Sequence, residues 1–225
     1  MKSKTIAIIP ARGNSKRLPG KNTKFLGGIP LLAHSIKYAQ QFSFIDEIYV
    51  TTDHSEIKNI ALQFGAKVID RPTEISGDFE PTVSALKHVL ESISVEVENV
   101  ILLQATNPLR PENLLEEAFQ IYLNSNSDSL FTVSRNHDKL GKIVNDTFEP
   151  FNYKIGQRSQ DLEPLFFENG LLYISKANLI KNDVIISEKA FPLEVNHIFA
   201  KVDIDTQEDF DYAAYLYQKQ INKNS

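Results

Sequence analysis

Thr5-Ile6-Ala7-Ile8-Ile9-Pro10-Ala11-Arg12-Gly13-Asn14-Ser15-Lys16-Arg17-Leu18-Pro19-Gly20-Lys21-Asn22 is the stretch that decides the fold. Its first six residues are apolar and largely β-branched, which reads as a buried strand. The loop that follows carries two glycines and four cations, Arg12, Lys16, Arg17 and Lys21. Backbone N–H groups in such a loop point at anionic oxygens, and Arg and Lys add charge. A nucleotide or sugar phosphate is therefore the first ligand to expect. The loop is not a Walker A motif, because six residues separate Gly13 from Gly20 and Lys21 is followed by Asn22. The dinucleotide fingerprint G-x-G-x-x-G is absent as well.

Outward from this stretch, short apolar runs alternate with longer amphipathic ones. Strands are expected at Ile6–Ile9, Glu47–Thr51, Lys67–Ile69, Val100–Leu103, Ser129–Val133, Leu171–Ile174 and His197–Val202. Helices are expected at Leu31–Gln41, Ser55–Phe64, Thr82–Ser92, Pro111–Ser125 and Gln207–Lys219, with Gly65 closing the second. This alternation predicts an α/β fold with a mostly parallel central sheet and helices on both faces. In such sheets ligands bind at the carboxyl ends of the strands, where the basic loop falls. Residues 135–164 break the rhythm with Gly141, Pro150, Gly156 and Pro164, and read as an excursion: an irregular hairpin, a lid or a dimer arm. Residues 222–225 are expected to fray.

Bulk properties narrow the class. A chain of 225 residues suits one domain, 1–225, and its 42% hydrophobic content supplies a core. A net charge of −5 argues against nucleic acid as a partner. With no cysteine there is neither a disulfide nor a thiolate ligand. No apolar run is long enough for a bilayer, and the first four residues lead directly into a strand, so a cytoplasmic protein without a membrane partner is expected.

Three more segments fall at expected strand ends and should converge with the basic loop. Thr51-Thr52-Asp53 reads first as an N-cap for the next helix. Leu103-Gln104-Ala105-Thr106-Asn107-Pro108-Leu109-Arg110 places side-chain donors and acceptors after an apolar strand. Turn building accounts for part of it, but Gln104 reads as a substrate contact. Val202-Asp203-Ile204-Asp205-Thr206 offers two carboxylates one residue apart, hard ligands suited to Mg²⁺. Asp205 or Thr206 can also cap the following helix. Within the excursion, Arg158 can clamp a carboxylate or phosphate bidentately.

Together with Arg71-Pro72 and Glu168-Asn169-Gly170, these segments resemble, in order, the motifs of the acylneuraminate cytidylyltransferase family, the CMP-sialic acid synthetases and their relatives. The resemblance implies a Rossmann-like nucleotidyltransferase that joins CMP from CTP to a sialic-type nonulosonic acid and releases pyrophosphate. It also implies a homodimer whose small dimerisation arm, matching 135–164, reaches over the neighbour's site. Carried over residue by residue, Arg12, Lys16 and Lys21 would hold the triphosphate. Ala11, Gly13, Asn22, Arg71 and Thr82 would line the nucleotide. Gln104 would bind the sugar acid, Lys142 and Arg158 would meet sugar or phosphates, and Asp203 and Asp205 would hold Mg²⁺. Arg12, Lys16, Lys21, Arg158 and Asp205 form the implied catalytic set. Two positions depart from the family pattern: Glu80 replaces a small residue near the base, and Glu168 precedes Asn169-Gly170, which leaves the sugar open. The alternatives are a 3-deoxy-manno-octulosonate cytidylyltransferase, which shares Leu18-Pro19-Gly20-Lys21, another sugar nucleotidyltransferase, and a nucleotide-binding regulatory module without turnover.

Overall fold

The computed structural model describes residues 3–224, with side chains through residue 222. Its strands are β1 (Lys4–Pro10), β2 (Phe25–Leu26), β3 (Ile29–Pro30), β4 (Glu47–Thr52), β5 (Lys67–Asp70), β6 (Val97–Leu102), β7 (Ser129–Asn136), β8 (Gly141–Val144), β9 (Thr147–Pro150), β10 (Leu165–Lys176) and β11 (Phe191–Glu194). Its helices are α1 (Leu31–Ala39), α2 (Ser55–Gln63), α3 (Thr82–Ser92), α4 (Leu114–Asn124), α5 (Ala177–Lys181) and α6 (Gln207–Asn224). The expected frayed end is thus helical to Asn224, and Ser225 lies outside the described residues, as do Met1 and Lys2.

Seven strands form one sheet in the order β11-β7-β10-β6-β1-β4-β5. β1 pairs in parallel with both β4 and β6, and β5 continues that half. β10 alone runs against its neighbours β6 and β7, while β11 is parallel to β7. The sheet is therefore mostly parallel, as expected. Strand side chains alternate between faces, and β1 divides its residues accordingly. Ala7 and Ile9 pack with α1, α2 and α4, whereas Ile6 and Ile8 pack with α3 and α5.

A third cluster positions the site. Leu18 and Leu26 of the basic loop region, Leu31 and Leu109 pack with Phe199, Val202 and Ile204 and with Ala213 and Leu216 of α6. This apolar knot brings the chain's two ends together and sets residues 202–205 beside the basic loop.

The segment His197–Val202 is not a strand. A 3₁₀ turn spans Ile198–Lys201, and the His197 ring accepts the Phe199 N–H at 3.2 Å. Burial of Phe199 and Val202 in the third cluster favours the turn, and the real edge strand lies earlier, at β11. The helix after Asp205 opens on reciprocal hydrogen bonds: the Asp209 carboxylate accepts the Thr206 N–H at 2.8 Å, and the Thr206 hydroxyl accepts the Asp209 N–H at 3.3 Å. Within the 135–164 excursion, β8 and β9 form a separate hairpin whose turn residues Asn145 and Asp146 both have positive φ, as a tight hairpin turn requires.

Candidate active site

The basic loop opens onto a cavity of ≈ 580 Å³ at the carboxyl edge of the sheet. Arg12, Lys16, Arg17, Lys21 and Asn22 line one side; Arg71, Asp78, Glu80 and Thr82 line another; Gln104, Thr106 and Asp205 close it. Four sequence segments separated by many residues therefore meet, those that follow β1, β5 and β6 and the one that ends at Asp205.

The loop's shape comes from specific contacts. Asp53 does not cap α2; its Oδ1 accepts the Gly13 N–H at 2.8 Å, tying the loop to the end of β4. The His54 ring lies where a Gly13 Cβ would stand, 2.6 Å away, so only glycine fits there. Gly20 has φ 65°, a left-handed turn that glycine adopts without strain, and it directs Lys21 inward. Asn22 donates to the Arg12 carbonyl at 3.0 Å, and its buried Oδ1 has no protein partner.

Charges in the cavity are arranged in two groups. Asp78 faces Arg12 Nη1 at 2.8 Å and Lys16 Nζ at 2.5 Å. Lys16 is the chief cause, with Arg12 adding to it, of an Asp78 carboxyl held below its usual range. Asp205 faces Arg17 at 2.6 Å and Lys21 at 2.9 Å. The buried Lys21 ammonium also donates to the Ile204 carbonyl at 2.7 Å. Arg71 is held by the Thr51 carbonyl at 2.6 Å, and burial lowers its pKa. These cations surround a volume suited to several phosphate oxygens.

A smaller cavity adjoins the first, with Gln104 common to both. Glu168, Asn169, Gly170, Tyr173, Lys201 and Asp203 line it. Asp203 is exposed as a residue, yet the groups packed around its carboxyl remove hydration and raise its pKa; the Thr106 hydroxyl opposes this and the charge of Asp205 adds to it. The Tyr173 hydroxyl donates to Glu168 at 3.4 Å.

Asp203 and Asp205 supply hard oxygens, and among the described residues no group of three or more His, Asp or Glu could hold a metal alone. Two carboxylates suit Mg²⁺, which takes its remaining ligands from water and substrate phosphates. The donor set therefore fits that ion.

Of the other residues singled out in the sequence, Ala11 is buried, its N–H donating to the Thr51 carbonyl at 3.0 Å, and it acts as a wall of the core beneath the loop. Gly13 likewise presents no atom to the cavity lining. Lys142 sits exposed on β8, and Arg158 pairs with Asp161 at 2.7 Å; neither lines these two cavities. Sequence reasoning counted Arg17 among the loop cations without giving it a role, and it missed Asp78, His54, Tyr173 and Lys201. Arg17 carried a signal, lying in the same basic loop, whereas the other four reach the site only through tertiary packing.

Residues 6–225 match the sequence profile of the family described as Cytidylyltransferase. The chain is 37% identical to the CMP-N,N'-diacetyllegionaminic acid synthase of Legionella pneumophila, over 91% of this chain and 92% of that protein. It is 32% identical to an N-acylneuraminate cytidylyltransferase of Streptococcus agalactiae, covering 92% of this chain but only 52% of the relative, so it spans about half the streptococcal protein. Its fold is like that of a CMP:2-keto-3-deoxy-manno-octonic acid synthetase solved with CTP (TM-score 0.72, 19% identity, 97% of this chain and all of the other).

Proposed function

This chain belongs to the cytidylyltransferase family, and from that premise we propose that it joins CMP from CTP to the anomeric hydroxyl of a nonulosonic acid. The observation that carries this reading is the convergence of four loop cations with Gln104 and Asp205 on one cavity that shares Gln104 with a second. The first cavity has the charge for a triphosphate; the second has the polar walls for a sugar acid.

In the reaction, the anomeric oxygen attacks the α-phosphorus in line. The bond to the β-phosphate oxygen breaks, pyrophosphate leaves, and the hydroxyl proton is released. Such a transfer needs positioning and charge neutralisation more than covalent help. Arg12, Lys16 and Lys21 hold the phosphates and stabilise the charge that builds on the departing pyrophosphate. Asn22, Arg71 and Thr82 border the nucleoside half, and Gln104 stands between nucleotide and acid. Asp203 and Asp205 would hold Mg²⁺, which when bound supplies charge for a phosphoryl oxygen.

The arm supports a homodimer. Its hairpin and flanks expose Ile143, Phe148, Phe151 and Ile155, an apolar surface that a second copy would cover. Lys142 and Arg158, both outside the two cavities of their own chain, are then available to the neighbour's site. Among the described residues no helix is long and apolar enough to cross a membrane.

The test is pyrophosphate release with CTP, Mg²⁺ and a panel of N-acetylneuraminic, legionaminic, pseudaminic and 3-deoxy-manno-octulosonic acids, with ATP, GTP and UTP as controls. Release with CTP and one nonulosonic acid supports the proposal and names the sugar. Release with the octulosonic acid alone, or CTP binding without release for any acid, overturns it.

A further inference from the structure

Arg110 is buried to 6% exposure, yet among the described residues no carboxylate pairs with it. Desolvation lowers its pKa to about 10, which still leaves the guanidinium charged near neutrality. A buried unpaired cation is unfavourable unless its donors are met, and here backbone and hydroxyl oxygens meet them. Nε donates to the Leu171 carbonyl at 2.7 Å, Nη1 to the Ser35 hydroxyl at 3.0 Å and Nη2 to the Gln104 carbonyl at 2.9 Å. Ser35 in turn donates to the same Gln104 carbonyl at 3.3 Å. The guanidinium lies 5.6 Å from the centre of the Tyr38 ring.

The two carbonyls are not arbitrary. β6 and β10 pair antiparallel, with Leu102 opposite Tyr173 as the last partners of the ladder. Continuing that register by two residues sets Gln104 opposite Leu171. β6 ends at Leu102 while β10 runs on to Leu165, and the guanidinium fork takes over where the ladder between them ends, holding one carbonyl from each side. Just beyond the fork are the residues of the second cavity: the Gln104 side chain on one wall, and Asn169 and Gly170 on the other. Two side chains therefore bridge these walls: the Arg110 guanidinium, and the Asn107 amide, which donates to the Asn169 carbonyl at 3.3 Å. A lysine ammonium could not span three acceptors in this way, because it is a point charge rather than a fork.

We propose that Arg110 is a positioning residue that ties the chain just past the end of β6 to the middle of β10, and so fixes Gln104 and the Asn169-Gly170 bulge as walls of the sugar-acid cavity. This rests on the assignment of that cavity to the sugar acid. Arg110 lines neither cavity, and of the groups it holds only Gln104 also borders the nucleotide cavity, whose cations lie on the loop after β1 and after β5.

The test compares Arg110→Lys and Ser35→Ala with wild type in three measurements: steady-state kinetics with each substrate varied, direct CTP binding, and backbone hydrogen exchange. Arg110→Lys should shift the acid KM, kcat or both unfavourably by roughly ten- to hundredfold, with CTP affinity within about twofold. Exchange should rise at residues 104–107 and 169–173 and stay unchanged at 6–13 and 47–52. Ser35→Ala, which removes one of the three donors to the Gln104 carbonyl and the acceptor of Arg110 Nη1 while leaving the other two bonds of Arg110 in place, should do the same to a smaller degree, and it serves if the lysine variant does not fold. Unchanged acid kinetics together with unchanged exchange would overturn the proposal. So would CTP affinity, acid affinity and exchange all degrading together across the molecule, as loss of general stability would cause. If wild type binds CTP but turns over no acid, the assigned function fails, and the local exchange pattern still decides whether Arg110 fixes these two walls.

Discussion

Replacing Lys21 with methionine separates the residue's charge from its packing. The stem stays, so the buried channel beside Asn22 remains filled, but the ammonium that donates to the Ile204 carbonyl at 2.7 Å and faces Asp205 at 2.9 Å is lost. An unmet buried carbonyl costs ~1–3 kcal/mol. Asp205 is about a third exposed and keeps Arg17 at 2.6 Å, so its own loss is small. For a chain of this size the melting temperature should fall by ~2–12 °C, which leaves the protein folded at 25 °C. Activity should suffer far more. A charge aimed at the departing group is worth ~10²–10³ in rate, or ~2.7–4 kcal/mol. The assay is pyrophosphate release at saturating acid and varied CTP, run beside a thermal melt of the same preparation. A folded Lys21→Met variant with kcat/KM within about threefold of wild type would refute the role given to Lys21.

Other perturbations report on neighbouring features. Gly13→Ala would drive a methyl into the His54 ring, 2.6 Å from the built position, so CTP affinity should drop by about tenfold or more while the far-UV spectrum holds; titration of CTP by calorimetry reads it. Asp205→Ala should lower turnover by ~10²–10³ without unfolding the protein, seen in the same pyrophosphate assay. Deleting the β8–β9 hairpin, residues 141–150, should convert a dimer to a monomer in sedimentation velocity and abolish turnover if Lys142 serves the partner's site. Glu47 makes stability depend on acid: burial alone would raise its pKa, but hydrogen bonds from Lys4, Tyr49 and Lys67 prevail and bring it from 4.5 to about 2. A depressed carboxyl stabilises the fold above pH 4.5 and loses that contribution as pH falls toward 2. Allowing for screening, ~1–2 kcal/mol should vanish over that window, and Glu47→Gln should flatten this part of the stability–pH curve measured by urea unfolding.

Much of the sheet could be read from local pattern because each element agreed with its surroundings. Thr82–Ser92 is a helix with the expected bounds, since Pro81 starts it and one apolar face repeats along it. β1 and its loop were legible for the same reason. The failures have particular causes. His197–Val202 has strand composition, but Phe199 and Val202 gain more by packing beneath α6 than by joining a ladder. β11 was hidden by Pro192, tolerable only because that strand lies at the sheet edge. The small β2–β3 hairpin was signalled by Gly27-Gly28, both with positive φ, and was overlooked. At the site, the loop cations and the Asp203/Asp205 pair stand out as clusters in the chain. Asp53 does not, because its role depends on an N–H forty residues away. Arg110 does not either, because nothing local indicates that it will bridge carbonyls at residues 104 and 171.

The reversed direction of β10 has an evolutionary consequence. A strand running against the rest enters the sheet at the edge where its neighbours leave it, so the connection from β7 to β10 departs and returns on the side of the two cavities. Insertions there lengthen a single loop and disturb none of the crossovers that build the nucleotide half. If Lys142 and Arg158 serve a neighbour's site as proposed, changes within residues 137–164 would alter recognition of the acceptor while β1, its loop and the C-terminal carboxylates continue to handle the same donor. A chimera that carries a relative's segment in place of these residues should change the acid it accepts and keep its preference for CTP.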